Sequence, residues 1–446
     1  MASELQRELS AAVDCPVLVA GDDGYDAETA GFNTSLTHTP DLVVAARSAA
    51  DVAAAVRFAG GHDLALHVMA TGHRDVPVTE GLLVSTRRLT GVEIDAQART
   101  ATVGPGVRWA QLVEAAAAEG LFAVPGSSPT VGVTGYLLGG GLGPLARSHG
   151  FSSDYLVGAQ VVTGTGEVLD VDAQRHDELF WALRGGKAGL GIVTQVRLRL
   201  VELREVYGGS LLFGADAVEP ALRAWLDWTA SCDPEATSSA VVVRFPDLEQ
   251  LPPPLRDRVF LSIRFVHPDL DRGAELAAPL REAAEVFADE LGVLPVAQIA
   301  KVHSDPPAPG PGWVRGLLLE RADGEVASVL LDHRPGGDSP LRGIELRHVG
   351  SPASRRDVPE GSAVGGRGAD YVVTVVGIDP AEVGDALPAE AQQIVDELRA
   401  WTSPVQNVNF NGQPLPPEQY AANWPLETFM RLSEVRHRYD PEGVLS

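Results

Sequence analysis

The pattern of apolar and polar positions changes character near residue 204. Before that point, short apolar runs alternate with helical stretches. Residues 41–45 form a β-rich run. Ser48 and Asp51 then make a capping-box pattern ahead of an Ala/Val-rich helix over 51–59. Gly60-Gly61 ends that helix, and 64–70 reads as a second buried strand. Such a β-α-β unit predicts parallel strands with a right-handed crossover. Strands are expected at 81–85, within 92–103 and at 121–124, with a helix over 107–119 stopped by Gly120. A hairpin over 159–171 turns at Gly164-Thr165-Gly166. A short helix at 177–183, ended by Gly185-Gly186, and a strand at 191–200 complete this part.

Beyond 204, longer helices are predicted at 218–231, 270–291 and 380–402. They alternate with apolar runs at 240–245, 259–266, 343–349 and 371–377, and Pro-rich loops at 251–255 and 306–312 separate them. This texture predicts an antiparallel sheet covered by helices on one face. The last forty residues read as a strand at 405–411, a loop, and a helix from about 426 to 439. The expected fold class is α+β, with one domain over 1–203, a second over 204–403, and a segment over 404–446 that returns to the first.

Composition narrows the function. Asp+Glu at 60 against Lys+Arg at 35 gives a net charge of −25. That excludes a nucleic-acid groove, which needs basic stripes to displace counterions. It also disfavours an anionic membrane surface or a polyanionic substrate. No stretch reaches the roughly 18 apolar residues of a membrane span. Met1 to Leu18 lacks the apolar core of a signal peptide, so a cytoplasmic protein is expected. Cys15 and Cys232 are too few for a disulfide framework and have no neighbour at zinc-ligand spacing. The acids around Asp172, His176, Asp177 and Glu178 are explained as helix-start signals, and no metal site is expected.

Three segments carry candidate chemistry. Ala70-Thr71-Gly72-His73-Arg74-Asp75 is a tight polar turn directly after a buried strand, a place where backbone N–H groups can cradle a pyrophosphate. Residues 126–150 hold eight glycines, dense enough for a backbone to approach a large planar or phosphorylated ligand. They match neither a P-loop nor a clean Gly-x-Gly-x-x-Gly. Asn407-Val408-Asn409-Phe410-Asn411, read as a strand, places three amides on one face, suited to a heterocycle's polar edge.

These segments occur in order with Phe180-Trp181-Ala182-Leu183-Arg184-Gly185-Gly186 and Arg438-Tyr439-Asp440-Pro441. The set resembles the berberine-bridge-enzyme-like flavoprotein oxidases of the vanillyl-alcohol-oxidase superfamily, with their two-part PCMH-type FAD-binding domain and an antiparallel-sheet substrate domain. The resemblance implies FAD as cofactor, with His73 matching the histidine joined to the 8α-methyl group and 70–75 as the pyrophosphate loop. Many relatives carry a second, cysteinyl link, and that place is Ser128 here, which implies a single attachment. Val131 matches the position of a small residue associated with oxygen access, which favours an oxidase.

Further positions implied at the cofactor are Ser127, Gly132, Gly135, Tyr136, Gly141, Val193 and Asn409. Asn407 replaces the tyrosine of the family's Tyr-x-Asn element. Lys187, Ala188, Gly189 and Leu190 depart from its glycine-rich run. The candidates for catalytic work are Tyr136, His348, Tyr371 and Asn409, since oxidation at a C–H beside a hydroxyl or amine needs a group to take the proton. The implied reaction is oxidation of an alcohol, hemiacetal or amine carbon of a small molecule, a carbohydrate or secondary metabolite, with O2 reduced to H2O2. Alternatives are a dehydrogenase with another acceptor and a flavin-binding protein without turnover.

Overall fold

The computed structural model describes residues 2–73, 76–249, 251–337, 339–358, 361–377, 384–412 and 415–445. Three sheets organise it. The first has Val17–Leu18, Leu42–Ala45, Leu82–Ser85 and Leu66–Met69 in that spatial order, the last three mutually parallel. The Ala49–Gly61 helix forms the crossover, its N-terminus capped by the Ser48 hydroxyl, which accepts from the Asp51 amide at 3.1 Å. The two strands of the predicted β-α-β unit are thus parallel, with Leu82–Ser85 between them. Leu42–Ala45 and Leu82–Ser85 are buried on both sides, as continuous Val/Leu runs require, while Val68 on the edge strand is exposed.

The second sheet is antiparallel, ordered Val92–Asp95, Thr100–Val103, Ile192–Arg199, Leu156–Val162, Val168–Val171. The Trp109–Ala118 and Asp177–Leu183 helices bury Trp109, Leu112, Phe180 and Trp181 against it. Residues 121–124 add no strand; Phe122 makes a single bridge to Val201.

The third sheet has eight antiparallel strands from 205 to 377. The helices at Val218–Thr229, Leu270–Arg281, Gly324–Asp332 and Ala386–Glu397 cover one of its faces, with Trp225, Leu280, Leu330 and Ile394 in a common core. The α+β class with helices on one sheet face is the observed architecture. Three elements differ from expectation. The helix predicted to reach 291 stops at Arg281, after Pro279, and the chain continues as two strands in line, Val286–Asp289 and Gly292–Pro295, both antiparallel to Glu205–Gly214. The strands Glu205–Gly214 and Trp313–Leu319 carry internal glycines that dilute a β signal. The first residues of the predicted 380–402 helix lie outside the described set, and the helix is seen over Ala386–Glu397.

The uncovered face of the third sheet turns toward the glycine-rich segment, since Leu142, Ala146 and Phe151 pack against Leu318, Val349 and Val372. Arg147 locks this seam, donating to the carbonyls of Gly350 at 2.9 Å, Asp233 at 3.1 Å and Ala236 at 2.6 Å. The Leu426–Tyr439 helix packs on Asp177–Leu183, and the Leu66 amide donates to the Val444 carbonyl at 3.2 Å. Among the described residues no helix is long and apolar enough to cross a membrane.

Candidate active site

The 70–73 turn leaves the Leu66–Met69 strand at a parallel-sheet edge. Gly72 holds φ +67°, and a Cβ there would collide with the Gly31 backbone, so only glycine fits. Its carbonyl accepts from the Phe32 amide at 2.9 Å. His73 stacks on Phe32 with ring centroids 3.9 Å apart, and its ring bonds to the Thr130 backbone. Its Nε2 is buried with no hydrogen-bond partner among the described residues. Burial, only partly offset by the Thr130 bond, pushes its pKa down to about 4. The Thr71 side chain lies 3.1 Å from where a Gly132 Cβ would stand. Two motifs some sixty positions apart therefore meet at His73 and Thr71. Ala70 is half-buried beside them, and Arg74 and Asp75 lie outside the described residues.

The glycine-rich segment proves to be shaped by two side chains. A Cβ on Gly126 would come within 2.8 Å of the Tyr136 ring, and one on Gly141 would overlap it. One on Gly139 would overlap the Asn409 amide. Tyr136 rides on the short Val133–Leu137 helix, edge-on to Trp109 at 5.7 Å. Asn409 Nδ2 donates to the Tyr136 carbonyl at 2.9 Å, and its Oδ1 accepts from Lys187 Nζ at 2.8 Å. Lys187 Nζ also donates to the Gly135 carbonyl at 2.8 Å. The loop that departs from the family pattern thus clamps the C-terminal segment to the glycine-rich one.

Residues 405–411 are not a strand. The Asn407 side-chain oxygen accepts from the Asn409 amide at 3.0 Å, and this Asx turn diverts the backbone from pairing. The three amides therefore do not share a face. Asn407 is buried and donates to the Gly365 carbonyl at 2.9 Å. Ser128 Oγ lies 3.0 Å from Thr130 Oγ1, and Ser127 is half-buried next to it. Val131 and the buried Val193 pack in the cluster that contains Trp109 and Leu137.

Across the seam, the third sheet presents a buried polar face. Ser239, Arg264, Glu345 and Arg347 share it because Ser239 is paired with both Arg264 and Arg347. Glu345 accepts from Arg264 at 2.9 Å and Arg347 at 3.1 Å. Burial opposes its ionisation, yet the Arg347 and Arg264 guanidiniums hold its carboxyl far below the usual range. His303 is fully buried beside them with both ring nitrogens unpartnered among the described residues. Burial, and then the two guanidiniums, push its pKa well below the ordinary value. The Tyr136 hydroxyl has Arg347 and Ser152 as polar neighbours but no well-formed hydrogen bond among the described residues, and burial raises its pKa.

Of the four residues predicted to be catalytic, the structure brings together Tyr136 and Asn409. His348 and Tyr371 lie on the opposite, helix-covered face, because they alternate with Arg347 and Val372. They stack on each other at 4.8 Å, and the Tyr371 hydroxyl bonds Thr229 at 2.7 Å. The reading missed His303, a lone histidine before a Pro-rich loop with no local pattern. It also missed the pairing of Glu345 with Arg264, which only strand order reveals.

Buried histidines make stability pH-dependent. The folded pKa of His73 and His149 falls to about 4 and that of His348 to about 3, mainly through burial, and that of His303 is also depressed. The unfolded chain binds these protons first, near pH 6.5. Stability is therefore full above that value and lost as pH falls toward 4. Urea midpoints of the flavin-free protein should drop steadily from pH 7 to pH 4.5, with a flat profile contradicting the burial of these rings.

Residues 40–172 match the family described as the FAD binding domain. The match covers one segment of the chain. It contains the Leu42–Ser85 sheet, the His73 turn, Tyr136 and the Leu156–Val162 strand. (R)-6-hydroxynicotine oxidase of Paenarthrobacter nicotinovorans is 35% identical over 225 residues, 50% of this chain and 49% of that protein. The chain thus aligns with about half the length of this curated relative. Across 97% of the chain and 96% of the other, the fold superposes on 6-hydroxy-D-nicotine oxidase of Arthrobacter nicotinovorans, TM-score 0.81 at 24% identity. It also superposes on glucooligosaccharide oxidase of Acremonium strictum, described with a 6-S-cysteinyl, 8α-N1-histidyl FAD, TM-score 0.83 at 19% identity over 99% and 98%.

The FAD-binding domain's own residues fit the cofactor. Among the described residues, His73 Nε2 and the Tyr136 and Ser152 hydroxyls have no hydrogen-bond partner, which leaves buried polar capacity for a ligand. Both cysteines are free; Cys15 lies in the core of the first sheet and Cys232 beside Arg147 and His348.

Proposed function

We propose that this protein is an FAD-linked oxidase of a small organic molecule. The observation that carries the reading is the convergence of the His73 turn, the Tyr136 helix and Asn409 within and against a segment that matches the FAD-binding family. Residues 1–203 with 404–446 hold the cofactor, and 204–403 cap it and shape the substrate site. FAD bound there supplies acceptance of two electrons from an alcohol, hemiacetal or amine carbon and their passage to O2, yielding H2O2. His73 Nε2 would hold the cofactor through a covalent link, and Ser128 in place of a cysteine would leave that attachment single. Val131 leaves room for oxygen.

The chain's own groups divide the remaining work. His303, neutral at pH 7 and lying beside the Glu345 carboxylate that favours its cationic form, is the acceptor for the substrate proton, which protonated Tyr136 cannot be. Tyr136 donates a hydrogen bond to the substrate oxygen or nitrogen. The Glu345 carboxylate fixes the Arg347 guanidinium beside it. The seam formed by Arg147 and the Leu142–Phe151 contacts excludes water.

The attachment is tested by precipitating the holoprotein in acid. Yellow colour should stay with the protein, and His73→Ala should release it to the supernatant. Colour in the supernatant of the unaltered protein overturns the covalent link. For the acceptor, stopped-flow reoxidation of the reduced protein by dissolved O2 should outpace that by quinones. The nicotine and oligosaccharide oxidases that share the fold set the first substrate panel of cyclic amines and sugars.

A further inference from the structure

Outside the His73 site, the loop after the Val218–Thr229 helix meets the end of the Val259–His267 strand. There Asp233, Glu235 and His267 bring one ligand atom each to within 4.8 Å of one another. Acidic residues at a surface need no ion, but the histidine changes the case. His267 is 1% exposed, and its Nε2 points at Asp233 with no hydrogen-bond partner among the described residues. The separation from Nε2 to Asp233 Oδ1 is 3.6 Å. That is too long for a hydrogen bond. It is close to the about 3.4 Å between two ligands of one tetrahedral metal at about 2.0–2.1 Å from each.

The other ring nitrogen is already held. Nδ1 lies 3.0 Å from both the amide and the carbonyl of Asp269. Nδ1 thus meets both a donor and an acceptor, and the tautomer that gives Nδ1–H to the carbonyl turns the Nε2 lone pair toward the two carboxylates, where a cation can take it. Histidine ligands are commonly oriented in this way, by a carbonyl behind the far nitrogen. Asp233 keeps one oxygen for the site. Oδ1 also accepts from the Glu235 amide at 2.9 Å, while Oδ2 faces Arg272 Nε at 3.4 Å. Arg272 neutralises one of the two acids, and the remaining charge suits a dication. Glu235 is exposed and gives the ion its route in.

We propose that Asp233, Glu235 and His267 form a binding site for a borderline divalent cation of the Zn2+ type, with water completing the shell. One imidazole with two carboxylates favours such an ion over Ca2+ or Mg2+, which prefer all-oxygen shells. The site is structural. It ties the 230–236 loop, whose Asp233 and Ala236 carbonyls Arg147 grips, to the strand that ends at His267. The ion thereby stiffens the seam on which the glycine-rich segment rests.

The test uses the full-length holoprotein after EDTA treatment and gel filtration. Zn2+ titrated in a calorimeter should bind with a stoichiometry of one, and raise the melting temperature, while Ca2+ does neither. Glu235→Gln and Asp233→Asn should each weaken Zn2+ binding by about tenfold or more, a loss of the size seen at supported metal sites. Glu235 is exposed, so its variant folds whatever the fate of a His267 variant. Absence of saturable Zn2+ binding overturns the proposal, as does a single site left intact in both variants.

Discussion

Glu345→Gln is expected to cost about 3–5 kcal/mol of folding stability, measured by urea unfolding at pH 7. The loss is large for a defined reason. Glu345 is the carboxylate that both Arg264 and Arg347 share; Glu345 and Arg347 are buried on the sheet face and Arg264 is half-buried beside them. The glutamine keeps the shape but removes the charge, leaving two guanidiniums facing each other in a poorly solvated seam. The same carboxylate, with a depressed folded pKa, stabilises the protein above the unfolded value of about 4.3 and loses that contribution as pH falls below it. Glu345→Gln should therefore also flatten the acid limb of the stability profile below pH 4.5. A loss under about 1 kcal/mol would mean that water reaches the cluster freely.

Gly139→Ala is expected to lower turnover about a hundredfold, the scale that misplacement of a site group by about 1 Å commonly brings. The new methyl would occupy the place of the Asn409 amide, which cannot retreat while Tyr136 and Lys187 hold it. Stability should fall by about 1–3 kcal/mol, as overpacking does. The double variant Gly139→Ala/Asn409→Ala separates the two effects. It removes the collision, so stability should recover by most of that amount, while turnover stays low because the Asn409 link between the glycine-rich and C-terminal segments is gone. If Gly139→Ala alone keeps full activity, Asn409 has no positioning role.

The sequence carried the local pieces because local chemistry decides them. The Ser48 cap and the Ala/Val helix stand where the polar–apolar pattern puts them, and so do the flanking strands at Leu42 and Leu66. His73 follows its strand through a turn that glycine alone can make. The failures have local causes too. Asn407 reads as a strand residue until its side chain caps the Asn409 amide, and Pro279 ends a helix whose apolar period continues past it.

The eight-stranded sheet decided what no spacing could show. Strand order alone sets Arg264 beside Glu345, and alternation along one strand sends Arg347 toward Tyr136 while His348 goes to the helices. His303 becomes a buried, neutral imidazole only because its loop folds under that sheet. Sequence by itself determined most of the elements before residue 204 and the turn that carries His73, since these depend on residues a few positions apart. Tertiary structure alone decided which side chains leave water together, because burial and charge pairing are properties of surfaces that meet, not of the chain order.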